Sequence, residues 1–120
     1  MIEVLTTGTG KVLEIAGHGT VTAEDYERVI VPAVEDRLKT NRKLRFLYHL
    51  CGDFTGYTPL AVWDDAKLGI RHLTAFEKIA IVTDAHWIIH AVKFFALFIP
   101  CPVKVFGESK LDEARSWLRA

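Results

Sequence analysis

The sequence predicts an α/β domain with a five-stranded, mostly parallel sheet, an antiparallel hairpin at its N-terminal end and four main helices largely on one face. Short runs rich in β-branched residues alternate with longer segments of helical periodicity. Strands that alternate with helices pair in parallel through right-handed crossovers. The length of 120 residues is that of one ordinary domain, so we expect residues 1–120 to fold as a single unit.

The hairpin is predicted from two strand-like runs, residues 2–7 and 11–18, which are separated by the turn-forming residues Gly8-Thr9-Gly10. The other strands of the sheet are predicted at residues 44–51, 76–83 and 102–106.

The first helix is predicted over residues 23–39, because Thr22 and Asp25 have the spacing of a capping box. Pro32 lies inside it and removes an amide donor, so a kink or break is expected there. The remaining helices are predicted from Thr58-Pro59 to about residue 72, at residues 85–99, and after Ser109, which with Asp112 is expected to cap the last one.

Charged residues interrupt the predicted strands, whereas central strands of a sheet covered on both faces are usually apolar on both sides. This pattern favours helices on mainly one face. The interrupting residues are Glu14, Arg45, Lys78 and Lys104.

The order of these elements resembles the SpoIIAA-like fold of STAS domains and, more distantly, of lipid-carrying CRAL-TRIO domains. Residues 44–54, 63–67 and 78–84 also resemble an uncharacterised bacterial branch described as SpoIIAA-like or STAS/SEC14. The resemblance covers essentially the whole chain. It implies a binding or regulatory domain and not an enzyme.

In phosphoregulated anti-anti-sigma STAS proteins, a serine preceded by aspartate at the start of the second helix is the switch. This chain departs from that pattern, because residues 53–59 read Asp-Phe-Thr-Gly-Tyr-Thr-Pro. Two interpretations of Thr58 stay open: an ordinary N-cap, or a switch whose phosphate would meet the free amides of a helix N-terminus.

Fifteen basic residues balance fifteen acidic ones, which gives no long-range attraction for nucleic acid. Cys51 and Cys101 are far apart, without ligand-like spacing, and the N-terminus shows no secretory pattern. The longest apolar stretch, residues 87–99, is shorter than the roughly 20 residues of a spanning helix. We expect a cytoplasmic protein, at most peripheral to a membrane, without cofactor or metal.

Residues 86–99 carry more apolar surface than one packed helix needs. His86, His90 and Lys93 form a narrow stripe, and the apolar residues cover an arc of roughly 220°. Either this helix is buried nearly all round, or its surplus face meets a second copy of the chain, an apolar ligand or a membrane. The predicted binding residues are Trp87, Lys93, Phe94, Phe95 and Phe98.

Polar residues follow two neighbouring strands, at the edge where ligands of open α/β sheets bind. They predict the mouth of a pocket and are His49, Asp53, Thr55, Tyr57, Thr58, Asp84 and His86. An acid–base pair of Asp53 with His49 or His86 would suit a small enzyme. No nucleophile elbow or phosphate-binding loop supports that alternative.

Two further clusters have ordinary explanations as well as functional ones. His86 and His90 have the spacing of two metal ligands, but a polar stripe on an apolar helix explains them without a metal. The basic residues of segment 37–45 complement a helix C-terminus and would also attract anionic lipid.

The sequence therefore predicts a non-enzymatic binding or regulatory domain. Its partner is expected to be an apolar or lipid-like ligand or a membrane surface, bound through residues 86–99. The alternative is a protein-interaction module, most simply a homodimer joined by the same helix, with Thr58 as a switch.

Overall fold

A computed structural model gives the fold and describes residues 1–6, 10–58, 60, 74–97 and 99–120, with the side chain of Phe95 left out. The helix predicted after Thr58, the stretch 63–67 and Phe98 therefore lie outside the described residues.

The main sheet confirms the predicted topology. The strands of the described residues are β1 (Ile2–Val4), β2 (Val12–Gly17), β3 (Thr20–Val21), β4 (Leu44–Leu50), β5 (Gly56–Tyr57), β6 (Phe76–Val82) and β7 (Val103–Phe106). The strand order of the main sheet is β1-β2-β4-β6-β7, with β1 antiparallel to β2 and the other neighbours parallel. Each strand of this sheet lies within its predicted segment.

A second, two-stranded sheet was not predicted. It consists of β3 and β5, which pair in parallel next to the carboxyl ends of β2 and β4. Strands of two residues carry too little periodicity to be recognised in a sequence. This small sheet ties together the two loops that leave β2 and β4.

The first helix, α1, confirms the predicted capping box. It comprises Ala23–Asp25 and Val31–Leu38, joined by a π-helical turn over Tyr26–Ile30. The Thr22 hydroxyl accepts from the Asp25 N–H at 3.2 Å, and the Asp25 carboxylate accepts from the Thr22 N–H at 2.9 Å.

Pro32 does not break α1, contrary to one form of the prediction. The distortion is instead the wide turn before it, where the Val31 N–H donates to the Tyr26 carbonyl, five residues back. A π-turn shifts backbone hydrogen bonds from the carbonyl four residues back to the carbonyl five residues back, so it changes which carbonyls need a donor. The helix can therefore continue past Pro32, which has no N–H.

Two other helices lie in the described residues: α2 (His86–Ala96) and α3 (Leu111–Arg119), which a 3₁₀ turn over Glu108–Lys110 precedes. The predicted cap by Ser109 and Asp112 is wrong. Ser109 lies within the 3₁₀ turn, and the Glu108 N–H donates instead to the Asp84 carboxylate, at 3.0 Å.

Both faces of the sheet carry a core. Helices α1 and α2 pack on one face, where Tyr26, Ile30 and Ile88 join Phe46 of β4 in one apolar cluster. Helix α3 packs on the other face through Ala114 and Leu118, against Leu47, Ala80 and Val82. Two of the three helices in the described part of the chain thus share a face.

The charged residues that interrupt the strands hold α3 on the second face. Arg115 binds Glu14, and Arg45 and Lys78 donate to carbonyls at the end of α3. Lys104 lies over the Trp117 ring, 6.0 Å from its centroid. Because the last carbonyls of a helix have no partner within it, Arg45 and Lys78 stabilise the C-terminus of α3.

Candidate functional site

The loops after β2 and β4 form a braced frame at the carboxyl edge of the main sheet. The Cys51 N–H donates to Gly17 O at 3.0 Å, and the Thr55 N–H donates to Gly19 O at 2.8 Å. Gly19 also donates to Asp53 O at 3.1 Å and has φ +56°, a conformation that favours glycine. The side chains on these loops are therefore held by backbone contacts.

His18 is the centre of a polar cluster on this frame. Its Nδ1 lies 3.0 Å from Asp53 Oδ1, and its Nε2 lies 3.8 Å from Cys51 Sγ and 3.4 Å from Glu3 Oε1. His18, Cys51 and Asp53 each bring one possible ligand atom within 4.8 Å of the other two. The order Cys51–His18–Asp53 is also that of a nucleophile, a base and an orienting carboxylate.

The surroundings of Cys51 argue against a nucleophilic thiolate. Burial raises the pKa of the Cys51 thiol, and the nearby carboxylates of Asp53, Glu108 and Glu3 raise it further. Reactive cysteines lie in electropositive environments, which lower the thiol pKa. The geometry of a triad is present, but its electrostatics favour a protonated thiol.

The predicted acid–base pair is not formed as expected. His49 Nε2 lies 3.0 Å from Glu108 Oε1, while Asp53 contacts His18. The alternation of β4 puts His49 on the same side as Leu47, which is the face covered by α3. Asp53 and His49 therefore have different partners.

The other predicted mouth residues are also divided among separate contacts. Asp84 accepts from the Glu108 N–H, and Thr55 Oγ1 lies 2.9 Å from Thr20 Oγ1. His86 is exposed at the start of α2. Thr58 is half-buried and its N–H donates to Val21 O at 3.0 Å, so its role as cap or switch stays a prediction.

An aromatic cluster adjoins this edge on the face of α1 and α2. The Trp87 ring stacks on Phe54, with centroids 6.2 Å apart, and meets Tyr57 edge-on at 6.4 Å. Tyr57 in turn lies 6.4 Å from Tyr26 of α1. Such pairs add about 0.5–1.5 kcal/mol beyond the burial of their area, so the start of α2 is fixed to the 51–55 loop.

Helix α2 exposes a mixed apolar and cationic surface, which we call the α2 arc. Trp87 is 55% exposed, Phe94 59% and Leu97 80%. At about 100° per residue, the arc spans roughly 120°, with Trp87 at one margin and Lys93 at the other. Its members are His86, Trp87, His90, Lys93, Phe94 and Leu97.

The exposure of the α2 arc is inconsistent with a helix buried nearly all round. Trp87, Lys93 and Phe94, all predicted to bind a partner, belong to it. Ile88 lies on the opposite side and is buried in the core. Phe98 and the Phe95 side chain lie outside the described residues, and Leu97 was not predicted.

The basic segment 37–45 is only partly available to a partner. Arg37 is buried and donates to main-chain carbonyls of the hairpin, and Arg45 donates to those of α3. Arg42 and Lys43 are exposed just before β4. They lie at the amino edge of the sheet, the edge toward which α2 runs.

Sequence reasoning missed His18 and Glu3 as site residues. The missing signal was strand register: Gly17 and Leu50 are partners in the parallel pairing of β2 and β4, so the next residues, His18 and Cys51, emerge side by side. Glu3 joins them because β1 pairs with β2.

Comparisons with known proteins agree with this fold. The SpoIIAA-like family profile matches residues 12–119. A solved structure, an uncharacterised protein of the DUF3478 family with a SpoIIAA-like fold from Shewanella loihica, is 29% identical. The alignment covers 98% of this chain and 92% of that one, with a TM-score of 0.77. No curated protein matches the sequence. Among the described residues, no helix has the length and apolarity to span a bilayer.

Proposed function

The chain belongs to the SpoIIAA-like family, and from that premise we propose that it is a non-enzymatic binding domain that attaches to anionic lipid surfaces through the α2 arc. The observation that carries this proposal is the exposure of Trp87, Phe94 and Leu97 on one side of α2.

The apolar part of the arc supplies a limited attraction. Fully burying a large apolar side chain contributes about 1.5–3 kcal/mol. Trp87, Phe94 and Leu97 are already partly covered, so each adds about 1–1.5 kcal/mol in a lipid interface. A total of about 3–4.5 kcal/mol does not hold a protein on a neutral membrane once the cost of association is subtracted.

The positive charges near the arc supply the remaining binding free energy and make attachment depend on anionic lipid. Helix α2 contains no acidic residue, and Lys93 lies on its exposed side. Arg42 and Lys43 are exposed at the edge where α2 ends. A basic residue near an anionic surface contributes about 1 kcal/mol. Attachment should therefore be weak, reversible and dependent on anionic lipid.

Residue chemistry and family resemblance both support a lipid partner. Tryptophan places an amphipathic ring at the headgroup level, and lysine extends its charge outward while its stem covers apolar surface. The resemblance to lipid-carrying CRAL-TRIO domains points the same way. A homodimer through the same arc would also cover Phe94 and Leu97, and vesicle flotation with light scattering distinguishes it from lipid attachment.

The test is flotation of dilute protein with vesicles of phosphatidylcholine alone or mixed with phosphatidylserine. We expect flotation only with the anionic mixture, and its loss in the Phe94→Ser, Leu97→Ser double variant. The matched control is Val4→Ser, Leu5→Ser, which changes two exposed apolar residues at the opposite edge of the sheet and should float like the wild type.

Light scattering on the same proteins distinguishes the alternative. A stable wild-type dimer that does not float, and that dissociates in the Phe94→Ser, Leu97→Ser variant, would replace the lipid proposal with a homodimer. A monomer that does not float with either vesicle would refute both.

A further inference from the structure

We propose that the carboxyl edge of the sheet holds a divalent transition-metal site of the zinc class. His18 Nε2 and Cys51 Sγ are its central ligands, in a cluster that also contains Asp53. Asp53 orients His18 from outside the coordination shell, and Glu3, which lies beside His18 Nε2, supplies the third ligand. This site is separate from the α2 arc and does not depend on lipid binding.

The two distances from His18 Nε2 to the other ligand atoms are close to those around a tetrahedral ion. Zinc lies about 2.3 Å from a thiolate sulfur and about 2.0–2.1 Å from an imidazole nitrogen or a carboxylate oxygen, so its ligand atoms are roughly 3.3–3.6 Å apart. In the structure, Cys51 Sγ is 3.8 Å and Glu3 Oε1 is 3.4 Å from His18 Nε2. Both distances to His18 Nε2 are close to these values. Glu3 does not belong to the group of ligand atoms that lie within 4.8 Å of one another, so its carboxylate must turn toward Cys51 to complete the site.

The contact between Asp53 and His18 is the outer contact that metal-binding histidines typically make. A histidine that binds metal through one ring nitrogen donates the other N–H to a carboxylate or carbonyl, which fixes its tautomer. Asp53 Oδ1 lies 3.0 Å from Nδ1, which leaves Nε2 directed toward Cys51 and Glu3. The ring is thus already oriented for coordination.

The negative charges around Cys51 favour a bound cation over a free nucleophilic thiolate. The carboxylates of Glu3, Asp53 and Glu108 all lie near the Cys51 sulfur. They disfavour an isolated thiolate, but they stabilise a divalent ion, which would itself stabilise the thiolate. A thiolate, an imidazole and a carboxylate together suit zinc better than magnesium or calcium, which prefer oxygen ligands alone.

The backbone holds the two central ligands in place. Cys51 donates its N–H to Gly17 O, and His18 donates its N–H to Met1 O at 2.9 Å. Glu3, with about half of its side chain exposed, is free to adjust. Three protein ligands leave a fourth position for water or another small ligand, as in zinc sites that are open to solvent.

The test is titration of reduced, chelator-treated protein with Co²⁺, which takes up zinc geometry and reports sulfur ligation by a thiolate-to-metal absorption band. We expect this band in the wild type and its bleaching by Zn²⁺. Cys51→Ser should abolish it, whereas Cys101→Ser, the matched control, should retain it. His18→Gln should weaken Co²⁺ binding more than 100-fold, and Asp53→Asn about 10- to 100-fold.

Absence of the band in folded wild-type protein would overturn the proposal without reference to any variant. A band that survives Cys51→Ser, or that disappears in Cys101→Ser, would also overturn it, because the sulfur ligand would then not be Cys51. Circular dichroism of each apo variant separates loss of a ligand from loss of the fold.

Discussion

Arg115 of α3 donates from both Nε and Nη2 to one carboxylate oxygen of Glu14, at 2.9 and 2.6 Å. Glu14 is buried in β2, and the two residues are 101 positions apart. The hydrogen bonds to Glu14 raise the pKa of Arg115, so the guanidinium stays charged. The pair joins the end of the chain to its second strand.

Removing Arg115 should destabilise the fold through the charge left behind. Arg115→Ala leaves the Glu14 carboxylate buried without its main partner, a change that costs about 3–5 kcal/mol in fully buried pairs. Because Arg115 is partly exposed, we expect a decrease of about 2 kcal/mol in the free energy of unfolding. Urea denaturation measures it.

The double variant Glu14→Met, Arg115→Met is the control for that measurement. It removes both charges and keeps apolar volume, so it should be closer to the wild type than Arg115→Ala. Equal losses in the two proteins would show that the intact ion pair itself stabilises the fold, and that the unpaired Glu14 carboxylate is not the source of the loss.

Thr22→Ala should lower the free energy of unfolding by about 1 kcal/mol, because it removes the oxygen that accepts from the Asp25 N–H. Thr22→Ser keeps that oxygen and should lie within a few tenths of a kcal/mol of the wild type. Thermal or urea unfolding of the three proteins gives the comparison, and equal stability of Ala and Ser variants would contradict the capping role.

Acid should weaken the same cap. Burial raises the pKa of Asp25, but hydrogen bonds from Thr22 and the nearby α-amino group lower it by more, so its folded pKa lies below the ordinary value of 3.8. The folded state then binds fewer protons than the unfolded state. The stabilisation from Asp25 is therefore complete above about pH 4 to 5 and is lost as the pH falls through the folded pKa.

Asp25→Asn tests this pH dependence. The variant should be less stable than the wild type near neutral pH, and the difference should shrink as the pH falls below 3.8. Urea unfolding at several pH values measures the difference. A difference in the free energy of unfolding between the two proteins that stays constant with pH would contradict the proposed role of the Asp25 carboxylate.

Lys93→Glu should weaken attachment to anionic vesicles while leaving stability unchanged, because Lys93 is exposed. Reversing a charge near the membrane changes the binding energy by about 2 kcal/mol, or roughly 30-fold in affinity at low salt. Sedimentation with vesicles at increasing salt measures it, and Lys110→Glu, an exposed site on the 3₁₀ turn, is the control. Equal effects of both substitutions would indicate that only net charge matters.

Local signals predicted most of the fold. The Thr22–Asp25 cap, the hairpin and the alternation of parallel strands with helices depend on neighbouring residues or on simple periodicity, and all agree with the structure. The cap of the last helix was predicted wrongly, because Asp84 reaches the Glu108 N–H from another strand end. A contact across 24 positions leaves no local pattern.

The candidate site was less predictable for the same reason. The apolar arc, too wide for one packed helix face, left open whether the helix is buried nearly all round or exposed, and Trp87 and Phe94 are exposed. The meeting of His18 with Cys51 depends on the register of two parallel strands, which neither segment encodes by itself. The charges on the strands were recognised, but their role in holding α3 needed the three-dimensional structure.

Asp53 and Phe54 are consecutive residues, and each serves a different surface: the Asp53 carboxylate contacts His18, while the Phe54 ring lies beneath Trp87. A movement of these two residues would therefore change the contact with His18 and the contact with Trp87 together. If an ion at His18 and Cys51 changes the affinity for vesicles by some factor, thermodynamic reciprocity requires vesicles to change the affinity for the ion by the same factor. Two titrations, each done with and without the other ligand, would measure this coupling free energy twice.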